Sequence, residues 1–524
     1  MTKLIDKDLL SVQETRDLLR QATAAQAKLA KMSQTEVDTI CLAIKDAALA
    51  NAERLGKMAN EETGYGKAPD KAIKNYFAAQ VVYDYIKDMK TVGIVNHDEE
   101  HRLFEVAVPV GVIAGLIPST NPTSTVIYKA LVAIKAGNAI IFSPHPGAKN
   151  CIIETVEVVR RAAEAAGLPA GCISVLKQAT KEGTDELLCN RQTCLILATG
   201  GEAMVRAAYS SGNPAIGVGP GNGPAYIEKS ADVPLAVKRI IDSKTFDNGV
   251  ICASEQSIIV ERETEAPVLA ELQKQGCYLL SEEEKQKVDA ILMTANMTPN
   301  QAVVGKTAVQ VAEIAGVIVP QETKLLIGRE TQVGKKIPFS REKLCPVLAF
   351  FVVNDWQEAC ALAIKILNNE GAGHTMIMHS NNADLIREFA LEKPVSRLLI
   401  NTPGALGGIG ATTMLAPALT LGCGAVGGSS TSDNITPQNL LNFRRIAYGT
   451  QELADIRQSV SMATKAGGQG AQAYQKLSPS SEHPCRESAV SQTVTSSVFS
   501  VDEEDQITSL VDLIYAKLKD QKII

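Results

Sequence analysis

The feature that most constrains the fold is an alternation of short, nearly all-apolar runs with helical segments in the middle of the chain. It opens with a run over residues 103–117 that is rich in β-branched side chains, as a strand buried on both faces requires. Strands alternating with helices predict a parallel, doubly wound α/β sheet. The further strands predicted in this block are Ala139–Ser143, Ile173–Leu176 and Leu195–Ala198, and the helices are Ile152–Ala166 and Ala203–Ser211.

The same alternation of apolar runs and helical segments occurs in a second α/β block, from about residue 250 to 430. In residues of about 8–90, the apolar side chains have the spacing of amphipathic helices. A chain of 524 residues is long enough for about three or four domains or sub-domains. The elements predicted in the second block are strands Ile258–Val260, Leu348–Val353 and Arg397–Ile400 and helix Trp356–Asn368.

Composition narrows the functional class. Apolar residues make up 45% and charged residues 21%, which excludes wholesale disorder and fibrous architectures. A net charge of −6 and only 4% aromatic residues argue against nucleic-acid or anionic-membrane partners. No apolar run is long enough for a transmembrane helix and no signal core opens the chain, so a cytoplasmic location is expected.

The 11 cysteines are scattered and include no Cys-x-x-Cys pair, which favours reduced thiols over disulfides or a zinc ribbon. Cys189 and Cys194 are spaced like metal ligands, but no histidine or further cysteine joins them, so no metal site is predicted. Cys252 follows Asn-Gly on a predicted loop or helix start, where backbone N–H groups would lower its pKa. A buried, inert cysteine is the alternative at that position.

Four further segments carry candidate chemistry. Asn121 ends the first apolar strand and could donate its amide to an oxyanion, or form a simple Asx turn before Pro122. Gly200 and Gly201 lead from a strand into a helix, a favourable place for a phosphate or pyrophosphate. A carboxylate, Glu342, precedes a strand, and His374 lies in a glycine-rich turn.

In this order and spacing, these segments resemble the aldehyde dehydrogenase superfamily over about residues 10–450. The resemblance is strongest to its CoA-acylating branch, the acetaldehyde and propionaldehyde dehydrogenases that form acyl-CoA. The stretches that carry it, besides the Cys252 segment, are Pro118-Ser-Thr-Asn-Pro122, Phe142-Ser-Pro-His-Pro-Gly147, Gly217-Val-Gly-Pro-Gly-Asn-Gly-Pro224 and Gly422-Cys-Gly-Ala-Val-Gly-Gly-Ser-Ser-Thr-Ser-Asp-Asn434. The last stretch reads Gly-x-Gly-x-x-Gly as text, but it lacks the strand and the later acidic residue of a dinucleotide site, and the resemblance places it near the substrate pocket.

The resemblance implies a Rossmann-type NAD-binding domain over residues 1–243, a catalytic domain over 244–430 and a returning oligomerisation strand within 431–455. A hairpin over about residues 93–108 would pair between subunits, in a homodimer or dimer of dimers.

The resemblance also implies roles for single residues. Cys252 would attack the aldehyde and carry the acyl group as a thioester, with Asn121 in the oxyanion hole and NAD accepting the hydride. Glu342 would bind the nicotinamide ribose. The other positions that match the family are Gly200 and Gly201 beside the pyrophosphate, Ser143 and Pro144 beside the adenosine half, and His374 as an aid to the CoA thiol.

One departure separates the two branches of this family. Hydrolytic members keep a glutamate about 34 residues before the cysteine to activate water, whereas Val218 stands at that spacing here. Without that base, water should attack a thioester slowly, while a thiol such as CoA is the better nucleophile. The sequence therefore favours acyl transfer to CoA, with acetaldehyde first and propionaldehyde second as the aldehyde.

The end of the chain suggests a second role. Residues 456–499 read as a flexible linker, and residues 500–524 as an amphipathic helix with a capping box at Ser500 and Glu503. This arrangement resembles the encapsulation peptides of bacterial microcompartment cargo, which dock on shell or cargo proteins. The alternative is a tail helix that folds back on its own domain. The competing functions are a hydrolytic aldehyde dehydrogenase and a non-catalytic scaffold or cargo adaptor.

Overall fold

The structure, a computed structural model, describes residues 6–460. The chain up to Tyr448 forms one compact unit, and residues 449–460 are the described part of a second. Residues 453–460 are helical, so the linker predicted from residue 456 is wrong for its first five residues. The predicted tail helix, 500–524, lies outside the described residues.

The N-terminal region is helical, as predicted, because each helix has a local start or stop signal. The Asp6 carboxylate accepts the N–H groups of Asp8 and Leu9 at the first helix, and Ser33 forms a capping box with Glu36 at the second. Gly64 ends the third helix at φ 66°. The helices are α1 Lys7–Leu29, α2 Gln34–Ala50, α3 Ala52–Thr63, α4 Ala68–Tyr76 and α5 Val82–Ile86, with a π-helical segment, Phe77–Val81, between the last two.

The apolar run over residues 103–117 is not one strand, and this differs from the prediction. It divides into β2, Leu103–Pro109, which pairs with β1, Gly93–Asp98, and β3, Val112–Ile117, which belongs to another sheet. The break falls at Gly111, whose φ is 129° and where a Cβ would lie 2.5 Å from the Cys194 sulfur. A glycine in this left-handed region lets the chain turn from one sheet into the next.

The first parallel sheet has the strand order β5-β4-β3-β6-β7. All six residues of β3 and of β4 are buried, which explains their lack of polar alternation. Its other strands are β4 Ala139–Pro144, β5 Ile173–Val175, β6 Leu195–Thr199 and β7 Ala215–Val218, connected through α6 Pro122–Lys135, α7 Lys149–Ala165, α8 Lys181–Cys189 and α9 Glu202–Ser210.

The second parallel sheet has the order β10-β11-β12-β9-β8-β13-β14. Its strands are β8 Gly223–Ile227, β9 Glu255–Glu261, β10 Cys277–Leu279, β11 Leu325–Arg329, β12 Val347–Val353, β13 Gly373–His379 and β14 Val395–Ile400. The associated helices are α10 Val233–Thr245, α11 Arg262–Lys274, α12 Glu282–Leu292, α13 Ala308–Ile314, α14 Trp356–Asn369, α15 Ala383–Glu392 and α16 Gly404–Gly408.

A final strand, β15 Leu441–Ala447, returns to pair antiparallel with β2 and completes a three-stranded sheet in the order β1-β2-β15. Short 3₁₀ helices lie at Pro146–Ala148, Phe246–Gly249, Pro338–Ser340, Ala425–Gly427 and Pro437–Leu440.

Sheet membership changes between β7 and β8, so residues 223–243 lie with the second sheet rather than with the first. The change therefore comes about 20 residues before the proposed domain boundary at residue 243. Within residues 6–460, no helix has the length and apolar character needed to cross a membrane.

Candidate functional site

Cys252 lies half-buried on a constrained turn between α10 and β9. Asp247, Asn248 and Gly249 have φ values of 48°, 54° and 74°, a left-handed run that two non-glycine residues rarely adopt. Side-chain bonds hold it there. The Asp247 carboxylate accepts the N–H of Lys67 at 2.7 Å, and the Asn248 amide donates to the Gly305 carbonyl at 2.9 Å. The turn thus fixes where the Cys252 backbone enters the site.

Gly221 brings the cysteine turn against two other elements. A Cβ at this position would lie 2.0 Å from the Cys252 carbonyl oxygen and 3.2 Å from Cε1 of His374. The Gly221 N–H donates to the Glu342 carboxylate at 2.9 Å. Only a glycine allows this approach, so the segment after β7 joins Cys252, His374 and Glu342 in one place.

The pKa of the Cys252 thiol is raised, whereas the sequence predicted that it would be lowered. Burial raises its pKa to about 12, the Glu342 carboxylate and the Cys423 thiol add to the rise, and the Arg397 guanidinium opposes it. Desolvation disfavours the thiolate, and neither the Arg397 guanidinium nor the backbone N–H of Cys252 offsets that cost. The thiol form of Cys252 is therefore favoured at neutral pH.

Glu342 is buried and titrates well above an ordinary glutamate. Burial raises its pKa to about 8, and the nearby Glu370 carboxylate adds to the rise, while the Gly221 N–H, Lys244 and Lys343 lower it. Glu370 is itself fixed by Arg341 at 2.8 Å and by the Glu342 N–H at 2.8 Å. Glu342 is thus harder to ionise at neutral pH than an ordinary glutamate.

His374 is fully buried at the start of β13. Its Nδ1 lies 2.9 Å from the Thr375 hydroxyl, and its Nε2 has no hydrogen-bond partner among the described residues. Burial, with a contribution from Arg397, lowers the pKa of His374 to about 3. The ring is therefore neutral, with one nitrogen available to a ligand.

Asn121 lies at the first position before α6, directly after the carboxyl end of β3. Its side chain makes no capping bond to that helix, so the alternative of a simple Asx turn is wrong. The amide oxygen instead accepts a bond from Lys74, and the amide nitrogen lies 3.3 Å from the Thr120 hydroxyl.

The other predicted residues lie at the same edge of the first sheet. Ser143 and Pro144 end β4, and Gly200 and Gly201 follow β6, on either side of the central strand β3. Gly201 precedes α9 without a side-chain cap, and a Cβ there would meet no atom within 4 Å. An uncapped helix N-terminus beside open space, at the point where strand order reverses, fits a dinucleotide pyrophosphate.

Arg397 is a residue of this region that the sequence interpretation missed. Its guanidinium donates to the carbonyl of Gly422 at 2.6 Å and to Oδ1 of Asn434 at 3.2 Å, so β14 holds the glycine-rich segment 422–434 near Cys252. A charged residue within a short apolar strand was the sequence feature that could have indicated a buried role for Arg397. In the described part of the chain, no group of three or more histidine, cysteine or acidic side chains is placed to hold a metal ion.

Known proteins place this chain in a family. The pattern of the aldehyde dehydrogenase family matches residues 3–409. The bifunctional aldehyde-alcohol dehydrogenase AdhE of Escherichia coli K12 is 43% identical over 451 residues, which are 84% of this chain and 50% of that protein. The chain thus spans about half the length of this relative.

Solved structures agree in fold. A probable aldehyde dehydrogenase from Listeria monocytogenes is 61% identical, with TM-score 0.85 over 86% of this chain and 100% of that one. An acetylating aldehyde dehydrogenase from Geobacillus thermoglucosidasius is 52% identical, with TM-score 0.85 over 86% and 99%. A propionaldehyde dehydrogenase from a Clostridium phytofermentans microcompartment is 26% identical, with TM-score 0.76 over 84% and 98%. This chain belongs to the aldehyde dehydrogenase family.

Proposed function

We propose that the protein is a CoA-acylating aldehyde dehydrogenase, which converts a short aldehyde, CoA and NAD⁺ into acyl-CoA and NADH. The observation that carries the proposal is the juxtaposition of Cys252, His374 and Glu342 around Gly221, with Val218 at the spacing of the hydrolytic base. The acetylating activity named for the Geobacillus relative supports the same reaction.

In this proposal the Cys252 thiol loses its proton to water, and its sulfur attacks the aldehyde carbon to form a thiohemiacetal, whose oxyanion Asn121 and the Cys252 N–H stabilise. Bound NAD⁺ supplies the hydride acceptor. Gly200 and Gly201 bind its pyrophosphate, Ser143 and Pro144 contact its adenosine half, and Glu342 binds the nicotinamide ribose. The acyl group is left as a thioester on Cys252.

The second half of the reaction depends on which nucleophile takes the acyl group. A positioned general base is worth about 10²–10⁴-fold to an attacking water, and Val218 cannot act as one. The Glu342 carboxylate raises the pKa of Cys252, but it accepts a hydrogen bond from the Gly221 N–H, and in this proposal it binds the nicotinamide ribose. A CoA thiol needs less activation than water, and we propose His374, whose Nε2 has no hydrogen-bond partner among the described residues, as an aid to that thiol.

A product assay tests the reaction. Purified full-length protein is incubated with acetaldehyde and NAD⁺, with and without CoA, and NADH, acyl-CoA and free acid are measured. We expect acyl-CoA with CoA and only a single turnover of NADH without it. Free acid formed at the same rate in both arms would establish the hydrolytic enzyme instead. No turnover with any C2–C4 aldehyde would favour the non-catalytic adaptor.

The aldehyde itself is proposed as acetaldehyde first and propionaldehyde second. A series of C2, C3 and C4 aldehydes with saturating CoA gives the order of kcat/KM. A higher value for propionaldehyde than for acetaldehyde would reverse the proposed preference.

We also propose that the enzyme is a homo-oligomeric cargo of a bacterial microcompartment in the cytoplasm, bound to shell or cargo proteins through residues 500–524. One structurally similar protein comes from such a compartment, and confinement would retain a volatile aldehyde and a private cofactor pool. Deleting 500–524 should abolish co-sedimentation with assembled shells and leave turnover in dilute buffer nearly unchanged. Loss of turnover on that deletion would indicate a tail folded on its own domain.

A further inference from the structure

The side chain of Asn121 is held by a buried ion cluster that reaches the cysteine turn. The Lys74 ammonium contacts both the Asn121 amide oxygen and the Asp247 carboxylate. Lys71 lies 3.1 Å from the same carboxylate and donates to the Thr120 carbonyl at 3.1 Å. The two lysine side chains are 2% exposed and the Asp247 side chain is fully buried.

This contact determines which way the Asn121 amide faces. An ammonium group has donors and no acceptor, so only the amide oxygen of Asn121 can face Lys74. The amide NH₂ is then directed away from Lys74, and it donates a long hydrogen bond, 3.3 Å, to the Thr120 hydroxyl. An amide without this constraint could turn over and present its oxygen to the same space.

Asp247 connects the cluster to the cysteine turn. It lies in the left-handed run five residues before Cys252, its N–H donates to Asp70 at 2.8 Å, and its carboxylate accepts the Lys67 N–H. A Cβ on Gly66 would lie 1.8 Å from Oδ1 of Asp247, so the α3–α4 connection packs directly on this carboxylate. Lys74 therefore touches both the element that carries Asn121 and the turn that leads to Cys252.

We propose that Lys74 is a positioning residue that locks the Asn121 amide with its NH₂ toward the oxyanion formed on Cys252. The inference rests on the proposed function, in which Asn121 donates to that oxyanion. Lys74 itself does not contact the aldehyde. Removing it should slow the step that forms the oxyanion and leave the binding of NAD⁺ and CoA little changed.

The test is a double-mutant cycle on the first turnover. Full-length enzyme is mixed with acetaldehyde and NAD⁺ without CoA, and the burst of NADH is followed in a stopped-flow instrument. We expect Asn121→Ala to slow the burst by about 10²–10³-fold, the usual effect of losing an oxyanion donor. Lys74→Met should slow it by about 10–100-fold because it removes the lock but not the donor.

The double variant of Asn121 and Lys74 shows whether the two residues act in the same step. Adding Lys74→Met to Asn121→Ala should slow the burst by less than about twofold, because the amide that Lys74 positions is already gone. An additive effect of the two substitutions would overturn the inference. If Asn121→Ala slows the burst and Lys74→Met does not, the inference fails and the role of Asn121 stands. If Asn121→Ala leaves the burst unchanged, the proposed role of Asn121 fails together with the inference.

Lys71→Met is the matched control, because it removes the same charge from the same carboxylate but leaves the Lys74–Asn121 contact. It should lower the melting temperature about as much as Lys74→Met and slow the burst far less. Equal slowing by the two substitutions would indicate a structural role and overturn the inference. Lys74→Gln, which keeps a polar group in the cluster, serves as the second variant if the methionine variant fails to fold, and the same slowing is expected.

Discussion

At the scale of single residues, the site is governed by the cost of burying ionisable groups beside one another. Burial raises the pKa values of both Cys252 and Glu342, and the Glu342 carboxylate further disfavours the Cys252 thiolate. The neutral forms of the Cys252 thiol and the Glu342 carboxyl are therefore favoured next to Gly221. The thiolate is the form of cysteine that is oxidised and alkylated, so the raised pKa lowers the reactivity of the sulfur at neutral pH.

The first prediction concerns the reactivity of that thiol. With a pKa of about 12, Cys252 in the ligand-free enzyme should be alkylated by iodoacetamide about tenfold faster for each pH unit between pH 7 and 10. Glu342→Gln should speed alkylation most above pH 8, where the carboxylate would otherwise be charged. Peptide mass spectrometry measures the rate at Cys252, with the exposed Cys189 as internal reference. A plateau in the Cys252 rate below pH 9 would contradict the raised pKa.

The second prediction concerns stability. Because burial raises the pKa of Glu342 from 4.5 to about 8, the folded protein keeps a proton that the unfolded chain releases above pH 4.5. The titration of Glu342 therefore does not lower the free energy of unfolding below that pH, and the lowering grows with pH until about pH 8. Glu342→Gln should raise the melting temperature by roughly 2–4 °C at pH 8 and leave it unchanged at pH 4.5. An equal change at the two pH values would refute the titration as its cause.

At the scale of elements, the turn after β7 decides how the two parallel sheets meet at the site. It carries the chain from the first sheet into β8 of the second, and it passes so close to the cysteine turn that its backbone lies against the Cys252 carbonyl. The carboxyl ends of β3, β4 and β6 face the same edge, where the dinucleotide is proposed to bind. One short segment thus fixes how the cysteine turn and the first sheet are connected.

The third prediction is a matched pair of substitutions in that turn. Gly221→Ala puts a methyl group 2.0 Å from the Cys252 carbonyl oxygen, so the cysteine turn must shift, and we expect kcat to fall by about 10²-fold. Gly219→Ala, whose Cβ would meet no atom within 4 Å, should change kcat by less than about threefold. Steady-state rates and melting curves of both variants provide the measurement. Similar rates for the two would show that the close approach is not needed.

At the scale of the whole molecule, the three-stranded sheet β1-β2-β15 presents apolar side chains to solvent. Ile94, Phe443 and Ile446 are 55%, 37% and 41% exposed, and the outer strands β1 and β15 each have one edge without a partner strand in the described chain. Such edges and side chains favour pairing with another copy. This supports the proposed homo-oligomer.

The fourth prediction follows from that surface. Ile446→Asp places a charge on an exposed position of β15 and should lower the molar mass measured by light scattering, while the far-ultraviolet circular dichroism stays unchanged. Leu415→Asp is a control on an apolar position of comparable exposure, 37%, in the loop after α16 and outside the three strands, and it should keep the wild-type mass. An unchanged mass for Ile446→Asp would place the subunit contact elsewhere.

The alternation of apolar strands and helices determined the α/β class, most strand positions and the order of the candidate site residues, because strand burial and helix capping are written in local sequence. The division of residues 103–117 at Gly111, the transfer of β8 to the second sheet and the contacts of Arg397 depend on partners far away in the chain. The pKa of Cys252 depends on distant partners too: its local sequence suggested a loop or helix start whose N–H groups would lower the pKa, whereas burial beside Glu342 raises it. Local patterns specify which elements form, and only tertiary packing decides which charges and backbones are brought together.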